Sequence, residues 1–218
     1  MLKLYGFPTS NFYNKVKLAL MEKEVEFEEV RVAPSKTDED FLSRSPMGKI
    51  PYIEHKGAFI CETQVILEYL EAAFPDLQSL YPENALEAAR CRELMTIVDM
   101  HLDSAARPAY GIFFGREVAP EIVSKALEGV EFGLKALQRR AQFKPYLAGN
   151  EFTYADVSAE ATLTIVGQTF EKLNGANPVL NVPGAADYLA MMAERPSVKK
   201  LRRAQKAALR MQQMGQNR

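Results

Sequence analysis

The sequence predicts an α/β domain followed by an all-helical bundle domain. Residues 1–75 contain short apolar runs of strand length and two helical patterns, in an order that gives a βαβ unit and then a ββα unit. After Leu86 we find no strand pattern, and apolar residues recur at three- and four-residue spacing. The stretch Pro75–Ala85 holds two prolines and no clear period. We therefore expect a linker at residues 76–86 and a helical domain at residues 87–218.

The βαβ unit is predicted from three consecutive segments. Leu2–Tyr5 alternates like a short strand, and Gly6–Asn11 is a turn-rich loop. A helix should begin near Ser10 or Asn11, because both residue types favour the N-cap position. Val25–Val32 is a second strand pattern. Two strands that are joined through a helix are typical of a parallel pair.

The ββα unit is predicted from a hairpin pattern and a helical pattern. Ile50–Ile53 and Ala58–Cys61 are short apolar runs that flank a His-Lys-Gly turn, in which Gly57 is free to adopt a positive φ. Apolar residues then recur at helical spacing from Val65 onward, until Pro75 stops the helix.

Two details of the ββα unit point to ligand recognition. If the Ile50–Pro51 peptide is cis, the backbone N–H and C=O of Ile50 face outward and can pair with an extended peptide. Glu62 and Thr63 stand where the next helix begins, and the orphan N–H groups of a helix start hold a carboxylate. The Thr63 hydroxyl can add a hydrogen bond, and the Glu62 carboxylate can pair with a ligand ammonium group. The alternative is that Pro51 only starts a strand and Thr63 only caps its helix.

This pattern resembles the glutathione-binding half of the soluble glutathione transferases. In that family an apolar residue, a cis-proline, an apolar hairpin and an acidic-Ser/Thr pair follow one another. The resemblance implies a thioredoxin-like fold for the first domain and glutathione as co-substrate. It implies that Ile50 pairs through its backbone with the cysteinyl unit, and that Glu62 and Thr63 hold the γ-glutamyl end. Lys36 and Lys49 stand where some members of the family place lysines for the glycine carboxylate.

A second match to the same family lies in the helical domain. Thr153 stands three residues before Asp156, which has the form of a capping box with Asp in place of Glu or Gln. The segment Tyr146-Leu-Ala-Gly149 precedes it. In the family, Tyr-Leu-Ala-Gly and a Thr/Ser-x-x-Asp box open the central helix of the helical domain. The resemblance therefore covers nearly the whole chain, and it gives this box a structural role.

The loop after the first strand is suited to thiol chemistry. A thiol at a helix N-terminus ionises more readily because the helix dipole and free N–H groups favour the thiolate, and a hydroxyl that donates to the sulfur adds to this. The segment Ser10-Asn-Phe-Tyr-Asn-Lys15 resembles the family's Ser-Pro-Phe-x-x-Arg/Lys, which implies that Ser10 is the catalytic hydroxyl. Asn11 replaces the usual proline, so Thr9, Asn11 and Tyr5 are competitors for this role. Ser10 as a plain N-cap is the alternative.

The resemblance places the electrophile where the first-domain loop faces the first helices of the second domain. Each candidate for this pocket is equally a candidate for the core. The candidates are Phe7, Phe12, Met100, Arg107, Tyr110 and Phe114.

Composition bears on the partners and cofactors to expect. The formal net charge of −1 gives no general reason to expect nucleic acid or an acidic membrane, and no signal peptide or membrane-spanning stretch is found. Cys61 and Cys91 lack metal-binding spacing, so we expect no metal and a cytoplasmic protein. The run Lys199–Arg210 carries six basic residues and no acid. We expect it to be a solvated terminal helix, with nucleic-acid binding as the alternative.

We expect a glutathione transferase that ionises the glutathione thiol for attack on an electrophilic small molecule, working as a homodimer as its family does. The loop around Ser10 has no cysteine, and the Ser-Ser-Cys segment of the family's maleylacetoacetate isomerases is absent. A mixed disulfide on the protein is therefore disfavoured. Two alternatives remain: a glutathione-dependent peroxidase or disulfide reductase, and a non-catalytic partner-binding protein like the stringent starvation proteins.

Overall fold

The computed structural model describes residues 1–216. The chain forms two compact units, one of residues 1–79 together with the chain from Glu194 onward, and one of residues 80–193. The first unit contains four strands and three helices before the linker: β1 (Leu2–Gly6), α1 (Asn11–Glu22), β2 (Phe27–Arg31), α2 (Glu39–Arg44), β3 (Tyr52–His55), β4 (Ala58–Cys61) and α3 (Thr63–Ala73).

The four strands form one mixed sheet in the order β2-β1-β3-β4. Strands β1 and β2 are parallel, with Gly6 opposite Arg31, whereas β3 is antiparallel to both β1 and β4. The predicted βαβ–ββα arrangement is therefore confirmed, and so is the hairpin. Because β1 and β2 run the same way, their carboxyl ends meet at one edge of the sheet, where the loop before α1 starts.

Side chains alternate between the two faces of the sheet. On one face the rings of Tyr5 and Tyr52 stack with their centroids 4.5 Å apart, and Phe41 of α2 meets Tyr52 edge-on at 5.6 Å. Leu4 and Ile53, which are paired in the register, lie fully buried on the opposite face, which α1 and α3 cover. The alternation of the strands thus fixes which face of the sheet each helix covers.

Helix α1 is tied to β2 by one carboxylate. Glu29 of β2 accepts hydrogen bonds from the Tyr13 hydroxyl at 2.5 Å and from the Lys17 ammonium at 2.7 Å. Burial acts to raise the pKa of Glu29, but the hydrogen bonds from Lys17 and Tyr13 outweigh it and leave the pKa lowered. This network holds the helix that begins at Ser10 against the edge strand.

The last helix, α9 (Pro196–Gln216), belongs to the first unit and packs against α1. Arg195 donates to the Glu22 carboxylate at 2.7 Å and 2.5 Å, while Val198 and Leu201 are buried. The sequence prediction placed everything in residues 87–218 in the helical domain, so the structure differs from it for this helix. Neither the buried residues Val198 and Leu201 nor the ion pair of Arg195 with Glu22 carries a sequence signal that identifies α1 as the partner of this helix.

The second unit contains most of the helices. They are α4 (Ala85–Thr96), a π-helical segment (Ile97–Asp103), a single turn α5 (Ser104–Ala106), a 3-10 segment (Arg107–Phe114), α6 (Pro120–Arg140), α7 (Tyr154–Asn174), a 3-10 segment (Pro178–Asn181) and α8 (Ala185–Glu194). The predicted all-helical character is confirmed. The apolar residues of the stretch 88–114 recur at helical spacing, but the stretch is not one continuous α-helix, because it passes through α-, π- and 3-10-helical geometry.

Helix α7 is the buried centre of the second unit, and the predicted capping box opens it. Thr153 is the N-cap, and the Asp156 carboxylate accepts from the Thr153 backbone N–H at 2.9 Å. The same carboxylate accepts from the Leu147 backbone N–H at 2.8 Å, which fastens the preceding Tyr-Leu-Ala-Gly segment. Among residues 1–216, no helix is long and apolar enough to cross a membrane.

Candidate functional site

The loop between β1 and α1 is held rigidly over the carboxyl end of β1. Gly6 has a φ of +146°, and a Cβ there would lie 2.5 Å from the Tyr13 ring, so only glycine fits without a shift. The Asn14 side chain donates from Nδ2 to the Pro8 carbonyl at 2.8 Å. The Ser10 backbone N–H donates to the Phe7 carbonyl at 3.1 Å. Residues 7–10 are therefore fixed by contacts with the first two turns of α1.

Ser10 is the N-cap of α1. Its Oγ accepts a hydrogen bond from the Tyr13 backbone N–H at 3.3 Å, and its side chain is half-buried. A hydroxyl has one donor and two acceptor positions, so capping uses an acceptor and leaves the O–H to donate elsewhere. The cap therefore does not compete with a role toward a ligand sulfur, since one hydroxyl has the donor and acceptor positions for both.

The hydroxyl of Tyr5, one competitor for that role, already donates its hydrogen bond within the protein. It donates to the Glu54 carboxylate at 2.6 Å. Burial and this carboxylate raise the pKa of Tyr5 to about 12. Thr9 and Asn11 flank Ser10 and are half-buried like it. Thr9 and Asn11 therefore remain competitors of Ser10 for the role toward a ligand sulfur.

The segment before β3 is open to a peptide-like ligand. The Ile50–Pro51 peptide is cis. Within the part of the chain that the structure describes, the backbone of Ile50 forms no hydrogen bond. Gly48 has a φ of +65°, and a Cβ there would lie 2.4 Å from the Ser35 carbonyl oxygen. This close approach brings the exposed residues Lys36 and Lys49 onto neighbouring segments.

The start of α3 lacks the side-chain cap seen at α1, α2, α4 and α7. Its N-cap is Glu62, at φ 66° and ψ 115°, which makes no capping hydrogen bond. A non-glycine residue at such a φ is uncommon and points to a functional constraint. Thr63 is buried at the first helical position and does not cap the helix. The alternative that Thr63 merely caps its helix is therefore wrong.

The two cysteines of the chain are poor nucleophiles. Burial raises the pKa of the half-buried Cys61 thiol, and the adjacent Glu62 carboxylate raises it further. Burial raises the pKa of Cys91 to about 11. A thiolate at this site would therefore have to come from a ligand. Across residues 1–216 we find no group of three or more His, Cys, Asp or Glu side chains placed to hold a metal ion.

The six candidates for the electrophile pocket are divided between the two units. Phe7 and Phe12 are half-buried in the first unit. In the second unit Arg107 and Tyr110 both hydrogen-bond to the buried carboxylate of Asp103, which is a structural role. The other two, Met100 and Phe114, are 61% and 60% exposed. Their assignment to one pocket stays a prediction.

Sequence reasoning missed three residues that shape the site. Asn14 anchors the loop at Pro8, Gly48 permits the close approach to Ser35, and Arg31 lies opposite Gly6 at the end of β2. Gly48, within Pro-Met-Gly-Lys, is the one with a local signal that could have found it, because a glycine close to a proline is typical of a turn. Asn14 and Arg31 carry no local signal, because their partners come from the tertiary fold.

Comparisons with known proteins identify the family. A profile of the glutathione S-transferase N-terminal domain matches residues 4–79. A glutathione S-transferase of Pseudomonas putida is 35% identical over 210 residues, which covers 96% of this chain and 94% of the relative.

Two crystal structures are similar to this fold over most of its length. The glutathione S-transferase from Rhodospirillum rubrum F11 has a TM-score of 0.76 at 27% identity, covering 92% of this chain and 91% of its own. Glutathione transferase F7 from Populus trichocarpa has a TM-score of 0.79 at 24% identity, covering 94% of this chain and 99% of its own; this second match shows the fold alone. Because both the sequence and the fold are shared over nearly the whole chain, this protein belongs to the glutathione S-transferase family and is a glutathione transferase.

Proposed function

We propose that Ser10 is the catalytic hydroxyl, and that it donates a hydrogen bond to the glutathione sulfur and stabilises it as a thiolate. A free thiol has a pKa of about 8.5, and lowering it by about two units needs roughly 2.7 kcal/mol in favour of the thiolate. A hydrogen bond to a charged group supplies about 1.5–3 kcal/mol, and a helix N-terminus about 0.3–1 kcal/mol. One hydroxyl at the start of α1 is therefore sufficient in magnitude.

We propose that glutathione lies along the segment before β3 and over the start of α3. The uncapped N-terminus of α3, with Glu62 in its unusual backbone conformation, is the observation that carries this proposal. Its N–H groups and the Thr63 hydroxyl bind the γ-glutamyl carboxylate, while Glu62 pairs with the α-ammonium group. The backbone of Ile50, ahead of the cis Pro51, pairs with the cysteinyl unit, and Lys36 and Lys49 attract the glycine carboxylate.

The thiolate then attacks the electrophilic atom of a small molecule and forms a thioether. The protein contributes the ionised sulfur and its position, and no metal takes part in this proposal. We also propose a homodimer, as the family resemblance implies, and a cytoplasmic location. The free state of Cys61 and Cys91 supports the latter, because cytosolic thiols are kept reduced. Static light scattering at two protein concentrations tests the dimer.

The ultraviolet absorbance of bound thiolate near 240 nm, titrated with pH, tests the role of Ser10. We expect the thiolate of bound glutathione to appear well below the free-thiol pKa in the wild type. In Ser10→Ala it should appear one to two pH units higher, with little loss of glutathione affinity. Ser10→Thr keeps both a cap and a hydroxyl, so it should restore most of the shift.

The matched variants Thr9→Ala and Tyr5→Phe separate Ser10 from its competitors. Each removes one hydroxyl without touching the cap of α1. A wild-type titration in Ser10→Ala, together with an upward shift in Thr9→Ala, would transfer the role to Thr9. Binding of glutathione with no depressed titration in any of these proteins would instead favour the carrier or partner-binding alternative.

A further inference from the structure

A cavity of about 580 Å³ lies at the carboxyl ends of the two parallel strands. The loop before α1 contributes Phe7 and Pro8, the chain after β2 contributes Val32 and Pro34, and Ala208 of α9 completes the wall. All of these residues belong to the first unit. In α/β sheets, ligands bind outside the carboxyl ends of the strands, and this volume is that of an ordinary small-molecule site.

The lining of the cavity is apolar except for the side chains of Thr9 and Arg31. Thr9 lines it and directly precedes Ser10, so a molecule in the cavity lies beside the residue that we assign to the glutathione sulfur. Arg31 also lines it, at the last position of β2. The Arg31 guanidinium has no hydrogen bond or ion pair with any residue within the described chain.

The surroundings of Arg31 leave its charge uncompensated. Glu29 lies two residues away on the same face of β2, but its carboxylate already accepts from Tyr13 and Lys17. Lys200 of α9 also acts on Glu29 and lowers its pKa. The helix that closes the cavity carries the basic run Lys199–Arg210, which contains no acid. The charge beside the cavity is therefore positive.

We propose that this cavity binds the electrophile, and that the electrophile is a small apolar or aromatic molecule bearing a carboxylate that Arg31 holds. This inference rests on the proposed function of Ser10. Arg31 acts as a specificity-determining residue: it positions the molecule by its anionic end and takes no part in the bond changes. A planar guanidinium suits a carboxylate because it can donate two parallel hydrogen bonds.

The reaction with a chloronitroarene probe balances without further reactants. The glutathione thiol loses its proton to solvent, and the thiolate forms a C–S bond at the ring carbon that carries chlorine. The C–Cl bond then breaks, and chloride leaves with the bonding electron pair. A carboxylate elsewhere on the ring remains unchanged, so it serves only for recognition.

The test compares 4-chloro-3,5-dinitrobenzoate with its uncharged methyl ester at fixed glutathione. The measured quantity is the ratio of kcat/KM for the acid to kcat/KM for the ester, which cancels any change common to both probes. We expect Arg31→Gln to lower this ratio about tenfold, because it removes one charge-assisted contact. Arg31→Lys should restore part of the ratio. Lys206→Gln, which removes an exposed charge of the basic run outside the cavity lining, should change it less than twofold.

Calorimetry with 3,5-dinitrobenzoate, which lacks the leaving group, measures the same contact without turnover. We expect its Kd to rise about tenfold in Arg31→Gln. An unchanged ratio and an unchanged Kd in Arg31→Gln would overturn the inference while leaving the role of Ser10 intact. An equal loss in Lys206→Gln would also overturn it, because the effect would then be a general potential. If the wild type binds the dinitrobenzoate through Arg31 but turns over neither probe although the thiolate titration shows an ionised glutathione sulfur, the assignment of the cavity to the electrophile is overturned and the role of Ser10 stands.

Discussion

Substitutions at Glu62 can separate its backbone conformation from its charge. Glu62 sits at φ 66° and ψ 115° directly before α3, a conformation that costs a non-glycine residue about 1–3 kcal/mol. Glycine adopts a positive φ freely, but it loses about 0.5–1 kcal/mol more backbone entropy on folding. Glu62→Gly should therefore stabilise the protein by about 1 kcal/mol, or about 2–4 °C in Tm. Glu62→Ala keeps the unfavourable φ and should leave the stability near that of the wild type.

Both variants remove the carboxylate that we assign to the ammonium group of glutathione. The side chain is exposed, so the lost contact is screened by solvent and is worth about 1–2 kcal/mol. The Kd for glutathione should rise about 5- to 30-fold in Glu62→Ala and in Glu62→Gly. Glu26→Ala, which removes an exposed carboxylate elsewhere in the same unit, should leave the Kd unchanged.

Urea unfolding and titration calorimetry with glutathione, at one protein concentration, measure the two effects. If Glu62→Gly is no more stable than Glu62→Ala, the backbone of Glu62 is not strained. If Glu62→Ala binds glutathione with wild-type affinity, the γ-glutamyl assignment is refuted and the strain must serve another purpose.

Two further predictions concern the supports of the site. Glu29→Gln should destabilise the protein by about 1 kcal/mol at pH 7, because it weakens the contacts with Lys17 and Tyr13. The pKa of Glu29 is lowered in the folded state, so its contribution is present above the ordinary glutamate pKa and is lost as the pH falls through the folded value. Urea unfolding should therefore show the deficit of Glu29→Gln shrinking below about pH 4.5. Asp156→Ala should cost about 3–5 kcal/mol in the same assay, because it leaves two buried backbone N–H groups without an acceptor. Asp38→Ala at the exposed start of α2 should cost only about 1 kcal/mol, and equal losses in these two alanine variants would contradict the burial argument.

Much of the first unit could be predicted because local signals determine it. The turn at Gly57 and the alternating runs around it indicate a hairpin, and Pro75 does mark the end of α3. The box at Thr153 likewise indicates where α7 begins. In each case the residues that specify the element are neighbours in sequence, so their spacing carries the information.

The features that could not be predicted depend on residues that are remote in sequence or have no local signal. The backbone conformation of Glu62 cannot be predicted from its residue type, because glutamate has no preference for a positive φ. From the sequence alone, Arg31 is one exposed residue of an edge strand. Its place in a cavity depends on Ala208, which is remote in sequence and lines the same cavity. The π-helical segment after α4 has no sequence signal that separates it from an ordinary helix.

The position of α9 has a consequence for the order in which the protein is made. The thioredoxin-like unit is encoded at both ends of the described chain, with residues 80–193 between its two parts. A ribosome that adds about 5–20 residues per second needs on the order of 10 s to translate that insertion. During this interval the emerging sheet has neither the Arg195 contact to Glu22 nor the Ala208 wall of the cavity. The nascent protein therefore completes its ligand-binding unit only after the helical unit has been translated.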